Sequence, residues 1–491
     1  MWLISFSAIP LGVPGEWVWS RAPVNGGNAW RFFVIAAGFA CYLGVVQLTD
    51  RAITRGRYVG AWMAVSLLAA GVWQACLSTT LPMSSEARAA FVLYDVGTSG
   101  YFRDANAMAE DWPAFCRGYE KRIIETDGPD RYLHQGTHPP GLVLCLRGLL
   151  GASRSWPWFR DVMLATEPVN FHDACQVLRT SAPRPGERFG QEEEATLWAA
   201  ALLVQLAILF TTIPIYRLAC RYHPPTASWR MAAFWPLIPA PLIFFPKSDT
   251  VFPLLATVAC ECWLRGLDRR SLVLCLVAGS VFLFGMTLSL ALAPLMVLLT
   301  IQTLYEWFLA DTAATDQFPN RFRCRAVLSG AVGFFVPCLL LANWPGMNLL
   351  QIWRSNFANH AEFYQHFSRT WWKWWLENPI ELALAAGLPL MVLILFRRPS
   401  LPQDTGASCR TVSARAATWS FVFILSLLWI WGKNQGEAAR LWIVFLPNVL
   451  ALTTPLWTDK DCDRVWWSCL ILQAIACANA VATVQGFDFG Q

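Results

Sequence analysis

Long apolar blocks alternate with short charged loops along most of the 491-residue chain. Each block has roughly 15–22 residues, the length that an α-helix needs to cross a hydrocarbon core of ~30 Å. The pattern predicts an all-α polytopic membrane protein with about 12 transmembrane helices, within a range of about 11–13. The predicted spans are 31–49, 59–78, 196–216, 229–245, 250–264, 271–286, 288–305, 326–343, 379–396, 416–432, 441–457 and 465–484.

The apolar stretch 271–305 is too long for one span, because a single helix over it would exceed ~50 Å. A break near Gly285-Met286-Thr287 therefore divides it into two short spans.

Basic residues concentrate in every second loop between these spans. The cytoplasmic side of a membrane protein is enriched in Lys and Arg, so we assign these loops to the cytoplasm. The basic residues are Arg51, Arg55, Arg57, Arg217, Arg221, Arg230, Arg265, Arg269, Arg270, Arg321, Arg323, Arg325, Arg397, Arg398, Arg410, Arg415, Lys460 and Arg464. Both termini then lie outside, unless residues 1–12 form part of a further membrane segment. The long segment 79–195 also lies outside, and we expect it to carry interfacial helices. A connection of that length is typical of a functional loop.

Composition agrees with a membrane protein, since 55% of residues are hydrophobic and only 14% are charged. The net charge of +5 does not indicate a nucleic-acid partner, because the basic residues are spread over many loops. The 15 Cys residues form no C-x-x-C pair, which argues against a cysteine zinc or redox site. There is no N-glycosylation sequon, which favours a bacterial inner membrane over the endoplasmic reticulum. We expect one transmembrane domain over 1–491, with 79–195 as an outer loop within it.

The start of the long loop, 93–104, contains two carboxylates, Asp95 and Asp104, and two tyrosines, Tyr94 and Tyr101. A carboxylate at a membrane surface can accept a proton from a hydroxyl nucleophile or bind a divalent ion. The alternative is a solvated loop of turn residues.

Further along the loop, His138 is followed by Pro139 and Pro140. The two prolines block a helix before Gly141 and restrict the backbone around the imidazole. The apolar run 142–150 is too short to span, which predicts an interfacial segment. A purely structural histidine is the alternative.

Two tight outer turns carry charges at the membrane rim. Lys247 and Asp249 lie between two strongly apolar blocks, and ionisable groups at that depth by default mark a functional site. Glu437 and Arg440 lie three residues apart in the turn 432–442, and an arginine there suits a phosphate ligand. In each turn, an ion pair that only satisfies itself is the alternative.

The segment 356–375 contains His360 and ends in four tryptophans, Trp371, Trp372, Trp374 and Trp375. The tryptophans indicate an interfacial anchor, although they equally suit a lipid tail or a sugar.

With these residues the chain resembles the GT-C superfamily of membrane glycosyltransferases, which use polyprenyl-phosphate sugars. The similarity is to bacterial multi-span members with a Thr-His-Pro-Pro-Gly motif, here Thr137 to Gly141, and a Gly-Glu-x-x-Arg-x-Trp motif, here Gly436 to Trp442. It covers most of the chain in organisation. Two features depart from the family pattern: two predicted spans precede the long loop, and the loop has no Asp-x-Asp pair.

The resemblance implies catalytic roles for three carboxylates, with Asp95 as the base, Asp104 in reserve and Asp249 as a second acidic residue. Lys247 and Arg440 would bind the donor phosphate, and His138 would orient the acceptor or the phosphate. Tyr101, Glu437 and His360 complete the expected substrate-binding set. Asp249 would fix Lys247 or bind a divalent cation such as Mg²⁺ or Mn²⁺.

The expected function is transfer of a sugar from a polyprenyl-phosphate donor to a glycan, lipid or protein acceptor on the outer face, with inversion. A transporter or lipid flippase is the alternative, but it predicts ionisable residues near the midplane and repeated halves. We find neither pattern in the sequence. A structural or assembly subunit would leave the rim charges without a purpose.

Overall fold

The computed structural model describes residues 10–22, 29–79, 81, 83–95, 97–108, 111–126, 134–181, 189–312, 320–367, 369–396, 409–432, 434–458 and 462–487. Two short antiparallel strands, β1 (Gly12–Val13) and β2 (Trp17–Val18), precede the helices. The first helices are α1 (Ala29–Arg55), α2 (Val59–Ser78), α3 (Ser85–Tyr94), α4 (Tyr101–Ala107), α5 (Trp112–Thr126), α6 (Gly141–Ser155), α7 (Pro157–Thr166), α8 (Val169–Ser181), α9 (Gln191–Phe210), α10 (Thr212–Ala219), α11 (Pro225–Ala232) and α12 (Pro239–Ile243).

The second half of the chain is also helical. Its helices are α13 (Phe252–Asp268), α14 (Leu272–Leu288), α15 (Ala293–Thr312), α16 (Asn320–Asn343), α17 (Leu349–His366), α18 (Trp371–Ala386), α19 (Leu388–Phe396), α20 (Cys409–Trp431), α21 (Ala438–Leu441), α22 (Leu446–Ala451) and α23 (Asp463–Thr483). Single 3₁₀ turns lie at His134–Thr137, Trp235–Leu237, Ser248–Thr250, Leu290–Leu292, Ile443–Phe445 and Thr454–Trp457.

Among the described residues, eight helical stretches are long and apolar enough to cross a membrane. They are Trp30–Arg55, Val59–Ser78, Gln191–Ala219, Ser248–Asp268, Leu290–Phe308, Arg321–Asn343, Ser413–Trp431 and Asp463–Thr483. Each coincides with one of the predicted spans. The prediction of an all-α protein with multiple membrane-compatible helices is confirmed.

Two of the other predicted spans are helical, but one is sharply bent and the other is only 17 residues long. Helices α18 and α19 together replace the predicted span 379–396, and they are bent by 112° at Gly387, whose φ is +97°. Helix α14 has 17 residues and ends at Ser289, where the backbone becomes extended. The predicted division of 271–305 into two helical segments is therefore confirmed, with the break at Ser289, two residues after the predicted Gly285-Met286-Thr287.

The predicted spans 229–245 and 441–457 are not continuous helices. Pro236, Pro239 and Pro241 interrupt the first, which becomes α11, a 3₁₀ turn and α12. Pro447 and Pro455 lie in the second, which becomes α21, α22 and two 3₁₀ turns. A proline lacks the N–H of the helical ladder and its ring clashes with the preceding turn. Both broken segments are almost wholly buried in the centre of the molecule.

Loops assigned to the same side of the membrane come together in the structure. Arg221 pairs with Asp268 at 2.9 Å and with Glu306 at 2.8 Å, and Arg230 pairs with Asp463 at 2.7 Å. These contacts join loops that the charge pattern places on the basic side; Arg397, Arg398 and Lys460 of that pattern lie outside the described residues.

The segment 79–195 is a folded helical unit rather than an open loop. Helices α3, α6, α7 and α8 pack on α9, and α4 packs on α6, around an apolar core that includes Phe102, Val143, Phe171 and Leu197. Burial of this core gives the segment a defined shape, so side chains at its edge hold fixed positions against the membrane helices.

Candidate active site

The turn between α12 and α13 places Lys247 and Asp249 at the end of the bundle. Lys247 N–H donates to the Phe244 carbonyl at 2.7 Å, and the Lys247 carbonyl accepts from Thr250 Oγ1 at 2.7 Å. The N–H of Thr250 donates to the Lys247 carbonyl at 3.1 Å and that of Val251 to the Ser248 carbonyl at 2.9 Å, which closes one 3₁₀ turn, Ser248–Thr250, directly before the apolar helix. Asp249 is buried there and Lys247 is half-buried.

Arg440 lies on α21, a single turn of helix that follows Glu437. The backbone of Glu437 is in the left-handed region, with φ of +56°, a conformation that costs free energy for a non-glycine residue. This turn lets the Arg440 guanidinium reach back, and its Nη2 donates to Glu437 Oε2 at 2.6 Å. Arg440 is 6% exposed.

Glu381 of α18 accepts a backbone hydrogen bond from the first turn of α21. Its Oε2 accepts from the Ala439 N–H at 3.1 Å, and its Oε1 accepts from Trp19 Nε1 at 3.0 Å. The Glu381 side chain is completely buried. Glu381 thus joins the N-terminal segment, the bent helix pair and the residue next to Arg440.

Five side chains form what we call the rim site: Tyr101, Lys247, Asp249, Glu437 and Arg440. Burial and the neighbouring Arg440 guanidinium lower the pKa of Lys247 to about 8. Burial acts against the charge of Arg440, but Glu437 and Asp249 outweigh it and raise the pKa of Arg440. Burial and the Asp249 carboxylate raise the pKa of Tyr101 well above its ordinary value, so its hydroxyl stays protonated.

Two donors of the rim site have no hydrogen-bond partner among the described residues. They are Arg440 Nε and Tyr101 Oη, and both atoms are buried. Leaving a buried donor unsatisfied costs about 1–3 kcal/mol, and more for a charged group. Such donors, next to a second cation, favour an anionic ligand at this place.

His138 joins the rim site through Tyr101. The two rings lie 5.8 Å apart, centroid to centroid, in an edge-on arrangement. The loop around His138 is held by its backbone: Tyr119 Oη donates to the His138 carbonyl at 2.9 Å and Asn356 Nδ2 donates to the Gly136 carbonyl at 2.7 Å. These two bonds tie the backbone of the loop in which Pro139 and Pro140 follow His138.

Asp104 and Asp95 lie in different surroundings. Asp104 forms an ion pair with Arg122; burial raises the pKa of this carboxyl, while Arg122 opposes the rise. Asp95 is exposed at the end of α3, and its Oδ2 accepts from the Thr98 N–H at 3.0 Å. Among the described residues, Asp95 forms its hydrogen bonds within its own turn, as the alternative of a solvated turn residue predicts.

Helix α17 places His360 beside the same region, since its Asn356 contacts the His138 loop. His360 is half-buried, and the adjacent Asn359 is 3% exposed with neither side-chain amide atom hydrogen-bonded to a described residue. A buried amide without partners is an adaptable donor and acceptor for a hydroxyl-bearing ligand.

Sequence reasoning missed Glu381, Tyr119 and Asn356 as parts of this region. The sequence did contain an indication for Glu381, because it is the lone carboxylate inside the predicted span 379–396. An ionisable residue in such a position by default marks a functional site. Asn356 and Asn359 share one helical face at a spacing of three, but nothing in the sequence shows what that face contacts.

No protein-family model and no curated protein matches this chain.

Proposed function

We propose that the protein is a membrane glycosyltransferase that takes a sugar from a polyprenyl-phosphate donor and passes it to an acceptor hydroxyl. The observation that carries the proposal is the rim site. It combines two cationic side chains, Lys247 and Arg440, with the buried carboxylate Asp249 at the ends of membrane-compatible helices. The Nε of Arg440 has no hydrogen-bond partner among the described residues.

Lys247 and Arg440 suit the phosphate of the donor. The guanidinium already donates one N–H to Glu437, which orients the group and leaves Nε for a second acceptor. A preorganised pair of cations stabilises the negative charge that develops on a leaving phosphate. The protonated Tyr101 hydroxyl adds a neutral donor.

Asp249 is the carboxylate placed best to act on the acceptor. The acceptor hydroxyl oxygen attacks the anomeric carbon and forms the new glycosidic bond, while its proton passes to Asp249. The bond between the anomeric carbon and the phosphate oxygen breaks, and polyprenyl phosphate leaves with the electron pair. Attack opposite the phosphate inverts the anomeric centre. Asp95, the base that the resemblance implies, is assigned no role in this step because its contacts are local.

The donor set of the rim site does not fit a divalent cation such as Mg²⁺ or Mn²⁺. Its carboxylates, Asp249 and Glu437, stand beside two cationic side chains, and Glu437 already accepts from Arg440. A cation with all-oxygen coordination seeks uncompensated carboxylates. We therefore derive no step through a metal.

The lipid part of the proposal rests on exposed aromatic side chains near the same end. Trp371, Trp372 and Trp375 of α18 are exposed, and Trp375 stacks on Trp429 with centroids 5.3 Å apart. Such a belt is typical of the interface where polyprenyl chains enter. We place the chain in a bacterial inner membrane with about twelve spans, counting the bent and broken segments, and with the rim site facing the periplasm.

The test is sugar transfer by the purified full-length protein in lipid vesicles. A panel of radiolabelled polyprenyl-phosphate hexoses and pentoses is supplied with a mixed glycan acceptor, and released polyprenyl phosphate is measured. We expect turnover of at least one donor and a loss of about 100-fold or more in the Asp249→Asn variant, within the range general-base catalysis contributes.

Asp95→Asn is the matched control, since it removes one carboxylate from the same outer face. We expect it to retain most activity. Turnover of no donor, or full activity in Asp249→Asn and Arg440→Ala together, would sink the proposal. Movement of intact donor lipid across the vesicle without bond cleavage would instead favour the flippase alternative.

A further inference from the structure

A second polar cluster lies in the helical unit 79–195, and it shares no residue with the rim site. Glu167 follows α7, His172 lies in the first turns of α8, and Glu194 lies in the first turn of α9. One ligand atom from each, two carboxylate oxygens and an imidazole nitrogen, lie within 4.8 Å of one another.

This cluster has more hydrogen-bond acceptors than donors. His172 Nδ1 is 2.9 Å from Glu167 Oε1 and also 2.9 Å from Glu194 Oε1. One nitrogen carries at most one hydrogen in its ring plane, so it can satisfy only one of the two carboxylates. Glu194 Oε1 and Glu167 Oε2 are both buried and have no hydrogen-bond partner among the described residues.

These carboxylates are too deeply buried for bulk water to compensate them. The Glu194 side chain is 2% exposed and that of Glu167 is 8% exposed. Arg179 donates to Glu194 Oε2 at 2.7 Å, which leaves the other oxygen of Glu194 facing the imidazole. A buried carboxylate oxygen without a donor is costly unless a cation or a proton meets it.

We propose that Glu167, His172 and Glu194 bind one divalent transition-metal ion of the zinc type. Zinc ligands of the N and O kind lie about 2.0–2.2 Å from the metal, which separates neighbouring ligand atoms by about 3–3.5 Å. In the structure, His172 Nδ1 lies 2.9 Å from an oxygen of each carboxylate, and the three ligand atoms lie within 4.8 Å of one another. One imidazole with two carboxylates favours zinc or manganese over magnesium or calcium, which prefer all-oxygen shells.

Gln176 supplies the outer partner that such a site needs. Its amide nitrogen lies 3.1 Å from His172 Nε2, and nitrogen and oxygen of an amide are interchangeable by a flip. With the amide oxygen turned towards the ring, Nε2–H donates to Gln176 and the lone pair of Nδ1 points to the carboxylates. His172 is 45% exposed, so an ion and a water ligand can reach the site from solvent.

The ion would tie three elements together. It would link the turn after α7, helix α8 and the membrane-compatible helix α9, and thereby fasten the outer helical unit to the bundle. The role is structural, so its test does not depend on transferase activity.

The experiment measures metal content and stability of the purified full-length protein in detergent. The protein is stripped with a chelator, dialysed against Zn²⁺ alone, and analysed by elemental mass spectrometry and by thermal unfolding. We expect about one Zn²⁺ per chain, a higher unfolding midpoint with Zn²⁺, and no such shift with Mg²⁺ at the same concentration.

The variants Glu167→Gln and His172→Ala should weaken Zn²⁺ binding by about 100-fold or more, because loss of even an outer partner costs roughly 10–100-fold. Glu192→Gln, on the same first turn of α9 but outside the ligand set, is the matched control and should bind as the unmodified protein does. Less than one tenth of an equivalent of Zn²⁺ in the unmodified protein would overturn the proposal, as would equal binding by Glu167→Gln. A proton shared between the carboxylates would then be the occupant.

Discussion

Arg440 and Glu437 form an ion pair three residues apart, with Nη2 of the arginine 2.6 Å from Oε2 of the glutamate. The pair does not exhaust the guanidinium, because Nε is buried without a hydrogen-bond partner among the described residues. The sequence offered two explanations for this turn, a phosphate ligand or an ion pair that satisfies itself. The structure shows the ion pair, and the remaining donor supports the ligand.

We expect Arg440→Lys to lower kcat/KM for the donor by about 10–100-fold. A lysine keeps the charge but cannot hold Glu437 and offer a second fixed donor, and a hydrogen bond to a charged group contributes about 1.5–3 kcal/mol. Donor turnover at several donor concentrations measures the effect.

Arg265→Lys is the control for this change, because Arg265 also pairs with a glutamate, Glu261 at 3.0 Å, near the end of α13 that is remote from Asp249. It should leave donor turnover unchanged. Retention of more than half of the activity in Arg440→Lys would contradict the phosphate role.

The pKa of Lys247 predicts an alkaline limit to activity. Burial and Arg440 lower this pKa to about 8, so the ammonium form is full below that pH and is lost as the pH rises through it. Since kcat/KM reports ionisations of the free enzyme, it should fall above about pH 8. Lys247→Arg should move this limb to higher pH, because a guanidinium remains charged. An identical alkaline limb in both proteins would show that Lys247 does not bind the donor.

The contact between α6 and the end of α14 predicts a position-specific stability loss. A Cβ added to Gly141 would lie 2.4 Å from the Thr287 carbonyl oxygen, a backbone atom that cannot swing away. Gly141→Ala should therefore lower the free energy of unfolding by about 1–3 kcal/mol, the usual cost of overpacking.

Gly148 of the same helix is the matched control, since an added Cβ there meets nothing within 4 Å. Gly148→Ala should stabilise the protein slightly, by up to about 1 kcal/mol, through helix propensity. Thermal unfolding in detergent compares the two variants, and equal midpoints would argue against the tight approach of α6 to Thr287.

Glu16 of the N-terminal hairpin predicts an acid-dependent contribution to stability. Burial acts to raise its pKa, but donors from Thr370, Trp374 and Lys373 outweigh burial and lower it to about 2. Because the folded-state pKa lies below the unfolded value, the carboxylate stabilises the fold fully above about pH 4.5 and loses this effect as the pH falls towards 2.

Glu16→Gln should accordingly lower the free energy of unfolding by about 1–2 kcal/mol at pH 7, with a difference that shrinks below pH 4.5. Glu362→Gln, an exposed glutamate on α17, should have no effect at either pH. Unfolding midpoints measured across this pH range check both expectations, and a constant difference between Glu16→Gln and the unmodified protein would exclude the carboxylate as the cause.

Hydropathy alone located the eight long helices and the 17-residue α14, because the free energy of burying about twenty apolar residues is a local property of the chain. It also located Lys247, Asp249 and Arg440 in turns between apolar blocks. It did not anticipate that Pro236, Pro239 and Pro241 would break a predicted span, although their positions are visible in the sequence. The missing backbone donor outweighs apolar length there.

Only the tertiary structure decided which polar residues of the long loop and the tight turns meet. Tyr101 begins α4 and His138 lies in the loop before α6. Lys247 and Arg440 are nearly two hundred residues apart, and Glu381 of the bent helix pair accepts from the backbone N–H of Ala439, next to Arg440. Asp95, six residues before Tyr101, instead remains in its own turn. Such convergence depends on packing between segments far apart in the chain, and no local pattern of apolar and polar residues encodes it. The sequence therefore determined the kind of protein and the face to inspect, and the packed helices determined the site.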